Sequence, residues 1–186
     1  MEALKLDTRF TYKDYASWTT DDRFELIDGV PYLMSPAPSY RHQIVIGAIY
    51  SQLAGYLKGK PCKVIVSPFD VRLNHDKGDD IVVQPDIVVI CDKNKLDDKG
   101  CKGAPDMIVE VLSPSSARLD TLVKFQKYQN AGVKEYWIVD PNIKTAVVHI
   151  LKDGEYLTRV YSDTDIIPVH VLSGCEINMQ EVFDED

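Results

Sequence analysis

Met107-Ile108-Val109-Glu110-Val111-Leu112 is a strand-length run, apolar and rich in β-branched residues except for one carboxylate, and its surroundings decide the fold. Such a run fits a strand buried on both faces. Downstream, Ser116 to Ala131 reads as a helix, with Leu122, Phe125, Tyr128 and Gln129 on one side and Gly132 as its stop. Glu135-Tyr136-Trp137-Ile138-Val139 then reads as a further buried strand. Strand, helix and strand over 107–139 form the pattern of a right-handed parallel crossover. The class is α/β, a mixed central sheet flanked by helices.

Upstream, Asp86 to Cys91 is another strand with apolar residues on both faces, separated from the first by a Lys/Asp/Gly-rich loop. Val64-Ile65-Val66 and Asp70-Val71-Arg72-Leu73 are strand-like, with the polar run Asn74 to Asp80 as a loop. Ser39 can cap a helix in which Ile44, Ile46, Ile49, Tyr50, Leu53 and Leu57 return at helical spacing until Lys58-Gly59. Phe24 to Ile27 and Val30 to Met34 form an N-terminal hairpin around Asp28-Gly29, after a short opening helix over 11–18. Thr145 to Leu151 and Tyr156 to Tyr161 form another around Asp153-Gly154. There is no internal repeat, so 1–186 is expected to be one domain with an acidic, frayed tail Asp184-Glu185-Asp186.

A chain of 186 residues can bury a core large enough to need neither disulfides nor structural metal. Its apolar runs are too short for a membrane span, and Met1-Glu2-Ala3-Leu4-Lys5 lacks the apolar stretch of a secretion signal, so the expectation is a cytoplasmic protein without membrane contact. Cys62, Cys91, Cys101 and Cys175 show no zinc spacing and are expected as reduced, mostly buried thiols. The net charge of −8 argues against a protein that coats nucleic acid, though not against an enzyme with a local basic groove.

Glu110 sits inside an apolar strand and Asp86 at the head of another. A carboxylate removed from water costs several kcal/mol unless it is paired or metal-bound. A buried pair with Lys or Arg would satisfy Glu110 alone. Taken together, the two acids would set hard oxygen ligands on one face, a geometry suited to Mg²⁺ or Mn²⁺. Glu25, on the hairpin, could complete the ligand set or be a surface acid on an edge strand. Asp120, Lys124 and Lys127 recur at helical spacing; they are either an exposed ion-paired face or the means of turning Lys124 over the metal. Tyr136 and Trp137 read as core rather than as a platform for bases.

Further stretches complete an ordered series of motifs: Glu25-Leu26-Ile27-Asp28-Gly29, Met34-Ser35-Pro36-Ala37-Pro38, His42, Gln84-Pro85-Asp86-Ile87-Val88-Val89, Pro105-Asp106 through Ser113-Pro114-Ser115, and Gly132-Val133-Lys134-Glu135-Tyr136-Trp137-Ile138-Val139-Asp140-Pro141. The series resembles the Uma2 (DUF820-type) family over roughly residues 10 to 175. The resemblance implies a restriction-endonuclease-like, PD-(D/E)XK fold and divalent-metal-dependent cleavage of DNA, often by a homodimer. It assigns Asp86 and Glu110 as catalytic metal ligands and Glu25 as an additional one. Leu112 stands where that superfamily expects a lysine, and the resemblance gives the role to Lys124 on the following helix. Arg41, His42, Arg118 and Lys127 become candidates for holding substrate, and Asp120 for supporting Lys124. Two rivals remain open: a nuclease-fold binding module with weak or no catalysis, and a hydrolase of nucleotides or other small phosphoesters.

Overall fold

The computed structural model describes residues 2–3, 8–34, 39–114 and 117–184. The Ser35-Pro36-Ala37-Pro38 part of one motif, Ser115, the expected helix start at Ser116 and the tail residues Glu185 and Asp186 lie outside these. The centre is a six-stranded sheet in the order 155–161, 145–152, 135–140, 107–111, 87–90, 63–66. Met107–Val111 and Glu135–Asp140 run parallel, as the crossover pattern requires, and the other neighbours are antiparallel. The hairpin over 145–161 turns at Asp153 and Gly154, whose φ of 53° and 87° are the consecutive positive values of a tight hairpin turn.

Helices and a second sheet cover the two faces. Helix α1 is Tyr12–Tyr15, and α2, Tyr40–Leu57, begins at Ser39, whose side chain accepts from the His42 N–H. Val45, Ile49 and Leu53 of α2 bury against Val109, Val111, Trp137 and Val139 on one face. The same core takes in Ile167 and Ile177 of the ribbon Ile166–Pro168/Glu176–Asn178, and Val182 of the last helix. The sequence reading leaves that ribbon unassigned. Beside that apolar packing, buried Glu135, which also accepts from the Trp137 indole at 2.8 Å, accepts from the Val171 N–H at 2.9 Å in the segment joining the ribbon's strands.

On the opposite face, Val88, Ile90, Ile108 and Tyr136 meet Leu119 and Tyr128, together with Ile27, Val71, Val83 and Cys101 of a seven-stranded second sheet. That sheet contains the N-terminal hairpin, Phe24–Ile27 and Val30–Leu33, turning at Asp28 (φ 52°) and Gly29 (φ 73°). The fold is thus the expected α/β class with a mixed central sheet flanked by helices, to which a second mixed sheet and a ribbon are added.

Two expectations need correction. Cys62 and Cys91 are bonded as a disulfide, not reduced. Lys63 faces Ile90 in the antiparallel register, so the two cysteines come opposite one another one step further along. Cys101 and Cys175 are free and buried, and burial pushes both thiols up to about 11. Leu122 is 64% exposed rather than on the buried side of its helix. The cause is local winding: Leu119–Lys124 is a π-helix, continued by α3 over Phe125–Ala131, and its wider turn buries Leu119, Asp120 and Lys124 instead.

Candidate active site

Glu110 follows Ile108 by two residues and so faces the 119–131 helix. The register pairing Val109 with Ile87, continued by one residue, brings Asp86 opposite Glu110 on that same face. The Val111 N–H donates to Asp86 Oδ2 at 2.8 Å, and the Asp86 N–H approaches Glu110 Oε2 at 3.4 Å. Asp86 is the more accessible of the two, its side chain 18% exposed against 5% for Glu110.

Lys124 enters from the π-helix and is buried to 2% exposure. Its ammonium lies 2.8 Å from Glu25 Oε1 and 2.9 Å from Glu110 Oε1. Asp120 Oδ1 is 3.2 Å away, an ion-pair contact not aligned as a hydrogen bond. The Tyr128 hydroxyl donates to Glu110 Oε1 at 2.8 Å, and the Gln84 N–H holds Glu25 Oε1 at 2.8 Å. Burial alone would drive the ammonium toward neutrality, but Glu110, Glu25 and Asp120 outweigh it and raise the Lys124 pKa well above 10.5. Glu110 moves well above 4.5: burial raises it and Lys124 opposes, while Asp120, Asp86 and Glu25 add to the rise.

His42 of α2 closes the end of the sheet. Its Nε2 is 2.8 Å from the Val111 carbonyl oxygen and 3.5 Å from Asp86 Oδ2, and Nδ1 is buried without a hydrogen-bond partner among the described residues. Burial disfavours its charge, but the Asp86 carboxylate and the Val111 carbonyl prevail and raise its pKa above 6.5.

A divalent cation fits the chemistry of this donor set. Three carboxylates, Glu25, Glu110 and Asp120, surround one ammonium with Asp86 beside Glu110, and Glu25 Oε2 is a buried oxygen with no hydrogen-bond partner among the described residues. The contacts above fall chiefly on Asp86 Oδ2 and Glu110 Oε1, leaving the second oxygen of each acid as the natural pair of hard ligands. Among the described residues, no three carboxylate, imidazole or thiol groups converge as an enclosing metal cage. Glu25, expected as a third ligand, arrives from the second sheet and gives Oε1 to Lys124 and the Gln84 amide, while its Oε2 has no hydrogen-bond partner among the described residues. Two protein oxygens with the remaining positions taken by water is a mode that Mg²⁺ tolerates.

The other candidates divide. Asp120 and Lys124 are a buried pair, not the exposed one the helical spacing also allowed. Lys127 turns away to Asp28 of the hairpin, with Nζ 2.7 Å from both carboxylate oxygens. Arg118 is exposed on the first helical turn. Arg41 is exposed beside a cleft lined also by Tyr40, Ile44, Lys144 and Phe183. Tyr136 and Trp137 are fully buried core. Missed by the sequence reading was the Tyr128 hydroxyl, legible as a position four residues beyond Lys124.

The model of the Uma2 family, described as "Putative restriction endonuclease", matches residues 12–180. An uncharacterized protein of Synechocystis sp. is 26% identical over 157 residues, covering 82% of this chain and 80% of its own. A crystal structure from Anabaena variabilis, described as a "putative nuclease belonging to DUF820", superimposes with a TM-score of 0.74 at 19% identity, covering 94% of this chain and 97% of that one. At that identity the likeness speaks for the fold. No helix among the described residues is long and apolar enough to cross a membrane.

Proposed function

The chain belongs to the Uma2 family, and from that premise and the geometry of the site we propose that it is a divalent-metal-dependent endonuclease hydrolysing DNA phosphodiester bonds. The observation that carries the reading is Lys124: a lysine from the following helix, buried and 2.9 Å from Glu110, stands in for the one absent at Leu112. A purely structural ion pair would not require Asp86 to share the face at the accessible edge.

Asp86 and Glu110 would hold Mg²⁺ or Mn²⁺. Once bound, the ion would polarise the phosphate and make water a better nucleophile at neutral pH. Lys124 and Tyr128 both engage Glu110 Oε1, which fixes the carboxylate plane and keeps Oε2 toward Asp86. The Val111 amide and His42 do the same for Asp86 from the strand side. Lys124 also brings positive charge within reach of the developing negative charge on the phosphate, with Asp120 and Glu25 steadying it. Cutting both strands of a duplex calls for two such sites, and the assembly we propose is a homodimer.

The test is cleavage of supercoiled and linear DNA at low salt, with Mg²⁺ or Mn²⁺, by the wild type beside Glu110→Ala and Lys124→Ala. Metal-dependent nicking lost in both variants supports the reading. Cleavage that survives Lys124→Ala removes the lysine from the mechanism. A wild type inactive across metals and DNA substrates favours the binding-module reading, which the enclosure of Lys124 by three carboxylates and the net charge of −8 support. Activity confined to mononucleotides points to the small-phosphoester alternative.

A further inference from the structure

Both lysines of the helix that crosses the acid pair are engaged by carboxylates: Lys124 by Glu25, Glu110 and Asp120, and Lys127 by Asp28. Arg23, two residues before Glu25, is held differently. Its Nε donates to Gln84 Oε1 at 3.0 Å and its Nη2 to Ser67 Oγ at 2.9 Å, so uncharged groups fix the guanidinium without neutralising it. The side chain is nevertheless exposed.

Its supports are rigid. The Gln84 amide nitrogen donates to the Tyr15 hydroxyl at 3.0 Å and to Asp70 Oδ1 at 2.9 Å, which leaves Oε1 no choice but to face Arg23. The supports also belong to the site. The Gln84 N–H holds Glu25, and the Ser67 N–H donates to the Asp86 carbonyl oxygen at 3.0 Å. The guanidinium is therefore suspended between the residue two before Asp86 and a residue bonded to Asp86 itself. Gln84 and Ser67 take the Nε and Nη2 hydrogens, so the exposed, pre-oriented guanidinium has its Nη1 amino group to offer a phosphate oxygen.

We infer that Arg23 is a phosphate clamp for duplex DNA, gripping a backbone phosphate adjacent to the one presented to Asp86 and Glu110. The inference rests on the nuclease reading and adds to it the residue that sets the register of the backbone in the site. Arg23 acts in binding and leaves the chemical step to the acid pair and Lys124.

Two measurements on the full chain test this. The first is fluorescence anisotropy of a labelled duplex across a salt series without divalent metal, for the wild type, Arg23→Ala and Arg23→Lys. Loss of one phosphate contact makes the slope of log affinity against log salt shallower by about 0.9 in Arg23→Ala. Arg23→Lys restores the slope but not the full affinity, because a flexible ammonium cannot be held by Gln84 and Ser67 while it donates to a phosphate. The second is steady-state cleavage, in which Arg23→Ala raises KM for DNA about tenfold or more and changes kcat less than about threefold. A wild type that cuts DNA while Arg23→Ala keeps its salt slope and KM overturns the clamp and leaves the nuclease reading standing. A fall in kcat at unchanged KM also overturns it, since Arg23 would then act on the reaction. A wild type that neither binds nor cuts DNA overturns the clamp together with its premise. Thermal unfolding of each variant at the wild-type midpoint confirms that an exposed side chain alone was changed.

Discussion

Lys124 is held by three buried acids, and its removal leaves Glu25, Glu110 and Asp120 buried without compensation. Lys124→Met is therefore expected to lower stability by about 3–5 kcal/mol, measured by urea unfolding. Adding Glu110→Gln to it should recover part of that loss, because one uncompensated charge fewer remains; a double variant no better than the single one contradicts the pairing. The metal binding proposed for Glu110 is expected to depend on pH. Burial and the neighbouring acids raise its pKa above 4.5 in the folded state, so its contribution to stability is complete below that ordinary value and is lost as pH rises through the raised one. A cation held by the ionised form reverses this cost. The rise in melting temperature produced by millimolar Mg²⁺ or Mn²⁺ should accordingly grow from acidic to mildly alkaline pH, and a shift that is larger in acid excludes Glu110 as the ligand.

At the scale of elements, the π-helix over Leu119–Lys124 aims the site, since an unbroken α-helix would have kept the apolar spacing that points Leu122 inward. Leu119→Ala should cost about 2–4 kcal/mol and Leu122→Ala less than about 0.5 kcal/mol; equal costs in chemical denaturation would restore the α-helical phase. The strand Thr145–Lys152 carries a second testable group. His149 is 6% exposed against Tyr136 and Phe125, and burial lowers its pKa to about 4. The unfolded chain takes up the proton near pH 6.5 and the folded one only near 4, so stability is full above 6.5 and falls as pH drops through this window. His149→Phe should flatten the acid limb of the stability profile. Both hairpins, the capped α2 and the parallel crossover were legible because their signals are local: Asp-Gly turns, a serine cap and unbroken apolar strands. The winding of 119–124 was not, because it is tied to the reach of Lys124 to Glu25 and Glu110 on other elements.

At the scale of the molecule, the site lies where two sheets meet, with Asp86 and Glu110 from the six-stranded sheet and Glu25 from the seven-stranded one. Some short strands of the second sheet, such as Val82–Val83 and Leu96–Asp97, carry too few residues for a periodic signal. Gly100, in that sheet, has φ of 125°, and a Cβ there would meet the Asp70 carbonyl oxygen at 2.2 Å. Gly100→Ala should thus destabilise the protein by more than about 2 kcal/mol in thermal or chemical unfolding, and a neutral effect would show that the backbone can relax. The sequence by itself determined the α/β class, the crossover from Met107 to Val139 and the two misplaced acids, because apolar periodicity and the cost of burying charge are written residue by residue. Only the tertiary structure decided that Glu25 turns to Lys124, that Lys127 goes to Asp28, that Cys62 joins Cys91 and that Arg23 stands at the mouth of the site. Each of these depends on register and on sheet-to-sheet packing, which bring together residues up to 99 positions apart, and no local pattern encodes contacts of that range.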